Sequence, residues 1–274
     1  MNGYKVDYHI HTTSSDGNMR PVEIVKQAKD LEYDSIAITD HDNVDGVQEA
    51  LLAGEAVGLK VVPGIEIAAE TEAAVGLHIL GYNIDIENHE LKEFLKELIE
   101  NRKRRNTALF STLQEMGYDI SEEDIKVGKN SFISRQLIAG ALVGKGYIEN
   151  AKDAFGGNIL GSPQCRKIRK AKPQAGAAIE VIRRAGGIPV LAHPIQTRGI
   201  GRPGSEAFFK NMEKIVKQLK LQGLGGLECY HPDQNEEQSK RFVEIAEKYH
   251  LHITRGSDFH GDDFSKAEET AEYR

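Results

Sequence analysis

Residues Ser35–Asp42 read SIAITDHD: a short strand-like run that passes directly into a threonine, two aspartates and a histidine. A brief apolar segment with an abruptly polar end is the signature of a buried strand whose last residues open onto a site. Upstream, Lys5–Ile10 alternates as a strand, carries His9 and ends beside His11, with Asp16 a few residues beyond. Downstream, Lys60–Val62 leads into Pro63-Gly64, read as a turn, and then Glu66, while Leu77–Leu80 carries His78. GGIPVLAHP ends near His193, and LHITRGSD delivers Asp258 with His260 just after it. Between these strands lie helical runs at Pro21–Leu31, Val44–Ala56, Glu206–Leu221 and Glu236–Tyr249, with GLECY as a further strand. Strands alternating with helices predict parallel βα units. In such folds the C-terminal ends of the strands share one rim, and sites are built there.

Residues 85–158 break the rhythm. They are mostly helical, with one long run from His89 to Met116 and shorter ones near Ser121–Ile125 and Ser134–Gly144. The pattern predicts a barrel-type α/β domain from residues 1–84 and 159–274, with a packed helical insertion laid over it.

Bulk properties narrow the function. The 274-residue chain is 39% hydrophobic and 28% charged, ordinary for a soluble globular protein. Its formal charge of −7 argues against an electrostatic binder of duplex DNA, which needs a basic face. No apolar run reaches membrane-spanning length, and MNGYKVD lacks the features of a signal peptide. Cys165 and Cys229 form no disulfide framework and no paired zinc spacing, so a reducing cytoplasm is expected.

Six strand ends therefore supply His9, His11, Asp16, His41, Glu66, His78, His193, Asp258 and His260. Any one of them has a bland reading: a lone HxH is weak, His78 alone is a half-buried strand histidine, and Glu66 alone is solvated. Their convergence on one rim is what predicts metal. Imidazoles and carboxylates together suit zinc, iron or manganese, and nine ligands exceed one tetrahedral ion, so two or three divalent ions are expected. Ions roughly 3.5–4 Å apart can share a hydroxide and stabilise both attacking and leaving oxygens of a phosphoester. Asp40 and Asp42 are read either as partners orienting His41 or as turn residues. His89, His231, His250 and His252 fall outside the pattern and are read as surface or packing residues.

The segments DYHIHTTSSDG, AITDHDNVDG, VVPGIEI, LHILGYNI, GGIPVLAHP and GSDFHG resemble the polymerase-and-histidinol-phosphatase (PHP) superfamily. Their order, with the insertion, looks most like its nucleoside 3′,5′-bisphosphate phosphatases and related RNA 5′-end exonucleases. The resemblance implies a distorted (β/α)7 barrel of the TIM type and a trinuclear site, usually manganese, or manganese with iron and zinc. It places His9, His11, Glu66 and Asp258 around one ion. Glu66 bridges to a second ion held by His78 and His193, and Asp16, His41 and His260 hold the third. Glu66, His193 and Asp258 are accordingly the candidate catalytic residues. Relatives often continue for another strand and helix beyond the point matching Arg274, which bears on how the barrel closes.

On the substrate side, Arg102 and Arg105 interrupt the apolar stripe of the long helix, whereas Lys103 and Arg104 point elsewhere. A buried-side arginine requires an anion, which is either a phosphate or a barrel carboxylate. Ser134 and Arg135 sit near a helix start, where backbone donors favour an anion. The resembled subgroup has an Arg-x-His element here; this chain has Arg135-Gln136-Leu137, which weakens the bisphosphate assignment but not the phosphoesterase class. The basic run CRKIRKAK, Cys165 to Lys172, is read as a solvated loop in preference to an RNA guide. The expected partner is a small phosphorylated substrate, a nucleotide or short RNA end. The alternatives are a histidinol-phosphate phosphatase and a non-catalytic metal-binding module.

Overall fold

Strand β2 (Ser35–Ile38) is buried at every position, and its side chains divide between two cores. Ile36 and Ile38 pack outward, while Ala37 faces the interior with Val62, Leu80, Tyr82, Val190 and Ala192. That division is the period-two alternation of a barrel strand covered by helices. The computed structural model describes residues 4–125 and 133–267. Its strands are β1 (Val6–Asp7), β2, β3 (Lys60–Glu70), β4 (Gly76–Tyr82), β5 (Ile188–Leu191), β6 (Gly226–Tyr230) and β7 (His252–Arg255), adjacent in chain order.

The helices are α1 (Pro21–Asp30), α2 (Val47–Val57), α3 (His89–Glu115), α4 (Arg135–Gly144), α5 (Pro163–Lys167), α6 (Ala175–Arg184), α7 (Glu206–Leu221) and α8 (Glu236–Lys248). Their ends follow capping rules. Pro21 opens α1, the Asn88 side chain accepts the Leu91 N–H at the start of α3, and Ser205 and Asn235 cap α7 and α8. One outer core joins α1 and α2 to β2, Ile10 and Phe259. A larger one joins α6, α7, α8 and the first half of α3 to β3, β4, β5 and β6.

The barrel closes without a long β1–β7 ladder. The Tyr8 N–H donates to the Arg255 carbonyl at 3.1 Å, and Ile10 forms a parallel bridge with Phe259. The result is a nearly closed seven-stranded barrel in which β4 departs from the expected parallel order. It pairs antiparallel with both β3 and β5. The reason is length: Thr71–Val75 is far too short for a crossover of a dozen or more residues, so the chain turns back as a hairpin. The expected turn at Pro63-Gly64 is also corrected, since both residues lie inside β3. Gly64 is required there, because a Cβ would stand 2.7 Å from the Ile38 carbonyl oxygen.

The insertion begins with α3, whose second half leaves the barrel and builds its own core with α4 and α5. Leu109, Phe110 and Leu113 meet Ile138, Leu142, Leu160 and Cys165. The apolar core of this layer thus extends to Cys165, beyond the expected boundary at residue 158. No described helix is long and apolar enough to cross a membrane.

Candidate metal centre

Alternation places the central carboxylate. Ile65 and Ile67 face the outer core, so Glu66 faces inward and is wholly buried. On β4 the same parity turns His78 inward with Leu80 and Tyr82. Because β4 runs antiparallel, its first residues lie beside the ends of β3 and β5, and His78 reaches the shared rim from a strand start rather than a strand end. His193 follows β5 and Asp258 follows β7. Both adopt left-handed backbone conformations, with φ of 23° and 53°, a strain that is concentrated at functional sites.

The side chains converge on the two oxygens of Glu66. Oε1 lies 2.9 Å from His78 Nδ1, 3.0 Å from His193 Nε2 and 3.3 Å from His9 Nε2. Oε2 lies 2.7 Å from His41 Nδ1 and 3.3 Å from His11 Nε2. Asp258 Oδ1 stands 3.4 Å from His9 Nε2 and 3.2 Å from His11 Nε2. His260 Nε2 is 3.3 Å from Asp16 Oδ1. Among the described residues, three groups have the spacing to hold an ion: His9, His11, Glu66 and Asp258; His11, Asp16, His41 and His260; and His41, Glu66 and His78. His193 stands outside the third group but places Nε2 3.2 Å from His78 Nδ1.

The residues present fit divalent cations by an independent criterion. Buried polar atoms are normally hydrogen-bonded. Here His9 Nε2, His11 Nε2, Glu66 Oε2 and Asp16 Oδ1 are buried without hydrogen-bond partners among the described residues, and each belongs to a residue of these groups. The donor set of imidazole nitrogens and carboxylate oxygens matches zinc, iron or manganese.

Charge is already arranged for ligation. Burial pushes the Glu66 carboxyl up, but His41, His78 and His9 hold it well below its ordinary range. Burial opposes Asp258 likewise, and His9 and His11 bring it well down. Burial disfavours charge on His11, yet Asp258 and Glu66 outweigh that and raise it to about 10. Burial dominates at His78 and lowers it to about 4.

Two residues complete the centre that sequence reading passed over. Glu228, on β6, is fully buried; its Oε1 lies 3.0 Å from His9 Nδ1, and its Oε2 accepts the His193 N–H at 2.6 Å. Its signal was available, because Leu227 and Cys229 face the outer core and force Glu228 inward. His231, read as a packing residue, is corrected. Its Nδ1 accepts the Asp233 N–H at 3.1 Å, so Nε2 carries the proton and points at Asp258 Oδ2, 3.8 Å away.

Asp40 does not orient His41. It accepts from the Thr12 N–H and hydroxyl, both at 2.8 Å, and so fixes the loop that carries Asp16. Asp42 pairs with Arg102 and Lys170 and donates its own N–H to the Glu66 carbonyl at 2.8 Å. Arg102 thus takes the barrel-carboxylate option, and Lys170 of the basic run turns inward, which corrects the solvated-loop reading at that residue. Arg105 is buried, makes no ion pair among the described residues, and leaves Nε without a hydrogen-bond partner. Burial and the nearby Arg102 and Arg135 lower it to about 10. Ser134 caps α4, accepting the Leu137 N–H at 3.2 Å. Arg135 donates to the carbonyls of Leu160, Cys165 and Ile168, so its fork ties the insertion together.

Comparison with known proteins gives this geometry its context. The PHP domain family profile matches residues 7–185. The chain is 29% identical over 256 residues to a 5′-3′ exoribonuclease of Haemophilus influenzae, covering 93% of this chain and 90% of that one. It is 29% identical over 258 residues to a phosphoribosyl 1,2-cyclic phosphate 1,2-diphosphodiesterase of Eggerthella lenta, covering 93% and 94%. A 3′,5′-nucleoside bisphosphate phosphatase of Chromobacterium violaceum is 27% identical over 258 residues, covering 93% and 87%. Among solved structures, one described as a metal-dependent phosphoesterase from Bifidobacterium adolescentis superposes with a TM-score of 0.78 at 32% identity, covering 94% of this chain and 88% of that one. The shared profile and the cluster of histidines and carboxylates lead to one conclusion: the chain belongs to the PHP domain family and is a metal-dependent phosphoesterase.

Proposed function

We propose that the enzyme hydrolyses a phosphoester of a small nucleotide bearing a second, terminal phosphate, with the 3′-phosphate of a nucleoside 3′,5′-bisphosphate as the simplest substrate. The same reading accommodates 5′-3′ trimming of short RNA, since both reactions release the 3′ oxygen of a nucleotide whose 5′-phosphate is held. The observation that carries it is Arg105. A buried guanidinium beside two others, with no acid paired to it among the described residues, is a site prepared for an anion. Histidinol phosphate, whose other end is an amine, has no counterpart in that cluster.

His9, His11, Asp16, His41, Glu66, His78, His193, Asp258 and His260 are the residues that would hold two or three divalent ions, manganese first among them. Such ions supply charge to the phosphoryl oxygens and lower the pKa of water. The protein supplies position. Glu66 ties the Oε1 and Oε2 sides of the site at a fixed separation. Glu228 sets the tautomer of His9. Asp42 anchors Arg102 and Lys170 at the edge of the centre, so that one carboxylate carries two cations and leaves net positive charge facing the substrate.

Phosphate release from adenosine 3′,5′-bisphosphate, histidinol phosphate and p-nitrophenyl phosphate, with manganese supplied, tests the reading. We expect kcat/KM on the bisphosphate to exceed the other two by about tenfold or more, the order of one well-made ionic contact. Preference for histidinol phosphate, or no turnover of the bisphosphate, contradicts it.

A further inference from the structure

His231 is the first residue after β6, so it stands on the same rim as His193 after β5 and Asp258 after β7. It is buried, yet it belongs to none of the groups spaced to hold an ion among the described residues. Its tautomer gives the reason. A main-chain N–H can only donate, so the Asp233 N–H, 3.1 Å from Nδ1, requires a lone pair there and leaves the proton on Nε2. A protonated nitrogen does not ligate. Nε2 has no hydrogen-bond partner among the described residues, and the carboxylate oxygen it faces is Asp258 Oδ2, 3.8 Å away. The ring is held on its other sides. It meets the His193 ring edge-on with centroids 5.8 Å apart, the His231 carbonyl accepts the Gln234 N–H at 3.0 Å, and the Asp233 carboxylate accepts from Gln196 Nε2 at 3.0 Å.

The two oxygens of Asp258 face different company. Oδ1 lies 3.4 Å from His9 Nε2, 3.2 Å from His11 Nε2 and 3.6 Å from His260 Nδ1. Oδ2 has His231 alone within ion-pair reach among the described residues. A buried N–H without an acceptor is costly, and a small rotation of the Asp258 carboxylate supplies one. We propose that His231 is a positioning residue: it holds Asp258 Oδ2 by a hydrogen bond, so that Asp258 ligates through Oδ1 alone. The group of His9, His11, Glu66 and Asp258 then leaves a coordination position for substrate. An Asp258 able to turn both oxygens inward would chelate and fill that position, and an open position is what separates catalytic metal sites from structural ones. Partners behind the ligands commonly set their orientation in this way. The inference rests on the ligand set proposed above and is independent of the nucleotide reading.

The test uses the full chain loaded with cobalt(II), whose visible absorption reports coordination geometry and weakens as ligands are added. Wild type is compared with His231→Phe, which keeps a ring and removes the donor, and His231→Gln, which can place an N–H near the position of Nε2. Cobalt equivalents and the visible spectrum are measured for each, with kcat and KM on p-nitrophenyl phosphate for the manganese-loaded proteins. We expect His231→Phe to bind as many equivalents as wild type, to lose visible intensity, and to lose about tenfold or more in kcat with KM little changed. His231→Gln should recover the wild-type spectrum. A His231→Phe protein with the wild-type spectrum overturns the proposal whatever its turnover. So does a folded His231→Gln protein with a weakened spectrum, which decides the matter even where the phenylalanine variant fails to fold. A wild type that takes up fewer than two equivalents of cobalt overturns the ligand set, and this inference with it.

Discussion

Glu228 holds His9 and His193 with one carboxylate: Oε1 lies 3.0 Å from His9 Nδ1, and Oε2 accepts the main-chain N–H of His193 at 2.6 Å. The first contact places the proton of His9 on Nδ1 and leaves Nε2 free to ligate. The second fixes the strained backbone at His193. Gly256 is the counterpart that permits this packing, because a Cβ there would stand 2.1 Å from His9 Cβ and 2.6 Å from Glu228 Oε1.

Glu228→Gln keeps the shape and removes the charge. An amide group facing His9 Nδ1 favours the tautomer with its proton on Nε2, which blocks ligation. Metal affinity should fall about 10–100-fold, the usual consequence of losing a carboxylate behind a metal-binding histidine. Metal titration followed by elemental analysis measures this, and a variant that binds metal as wild type does contradicts the role given to Glu228.

Asp7 gives a pH dependence with a defined sign. Burial raises its carboxyl from 3.8 to about 6, against the lowering effect of its bond to Ser257. The folded state therefore holds this proton where the unfolded chain has released it, and the group's contribution to stability is lost as pH rises from about 4 to 6. Asp7→Asn can keep the bonds to the His9 and Ser257 N–H groups without ionising. In the metal-free protein the variant should gain up to about 3 kcal/mol over wild type at pH 7 and nothing near pH 3.5. Denaturant melts at the two pH values read the difference, and a variant less stable at pH 7 contradicts it.

Arg105 separates a binding role from a packing one. Arg105→Met removes an unpaired buried cation while keeping an apolar stem of similar length. The free protein should be unchanged or more stable by about 1 kcal/mol, because no ion pair is lost. KM for the bisphosphate should rise about tenfold or more, with bound metal unaltered. Destabilisation by several kcal/mol with unchanged KM would make Arg105 a structural residue.

Much of this centre was legible because strand ends are conspicuous: SIAITDHD and VLAHP each join a buried run to a ligand-type residue. The hairpin was not read, although the five residues Thr71–Val75 are too few for a helical crossover; Pro63-Gly64 drew attention as a turn instead. Glu228 escaped because it lies within its strand and not at its end, although its place between apolar Leu227 and Cys229, which pack outward, marks it as facing inward. The pairing of Asp42 with Arg102 and Lys170 joins residues 60 and 128 positions apart. No local pattern encodes such a meeting, which depends on how α3 and the segment after α5 cross the rim.

The central claim is that one rim gathers these side chains to hold several divalent cations. Elemental analysis of the manganese-reconstituted protein, beside Glu66→Ala, tests it most directly. The account predicts two or more equivalents in wild type and at most one in the variant, since Glu66 faces His78 and His193 with one oxygen and His11 and His41 with the other. Fewer than two equivalents in wild type, or equal loading of the two proteins, would contradict it.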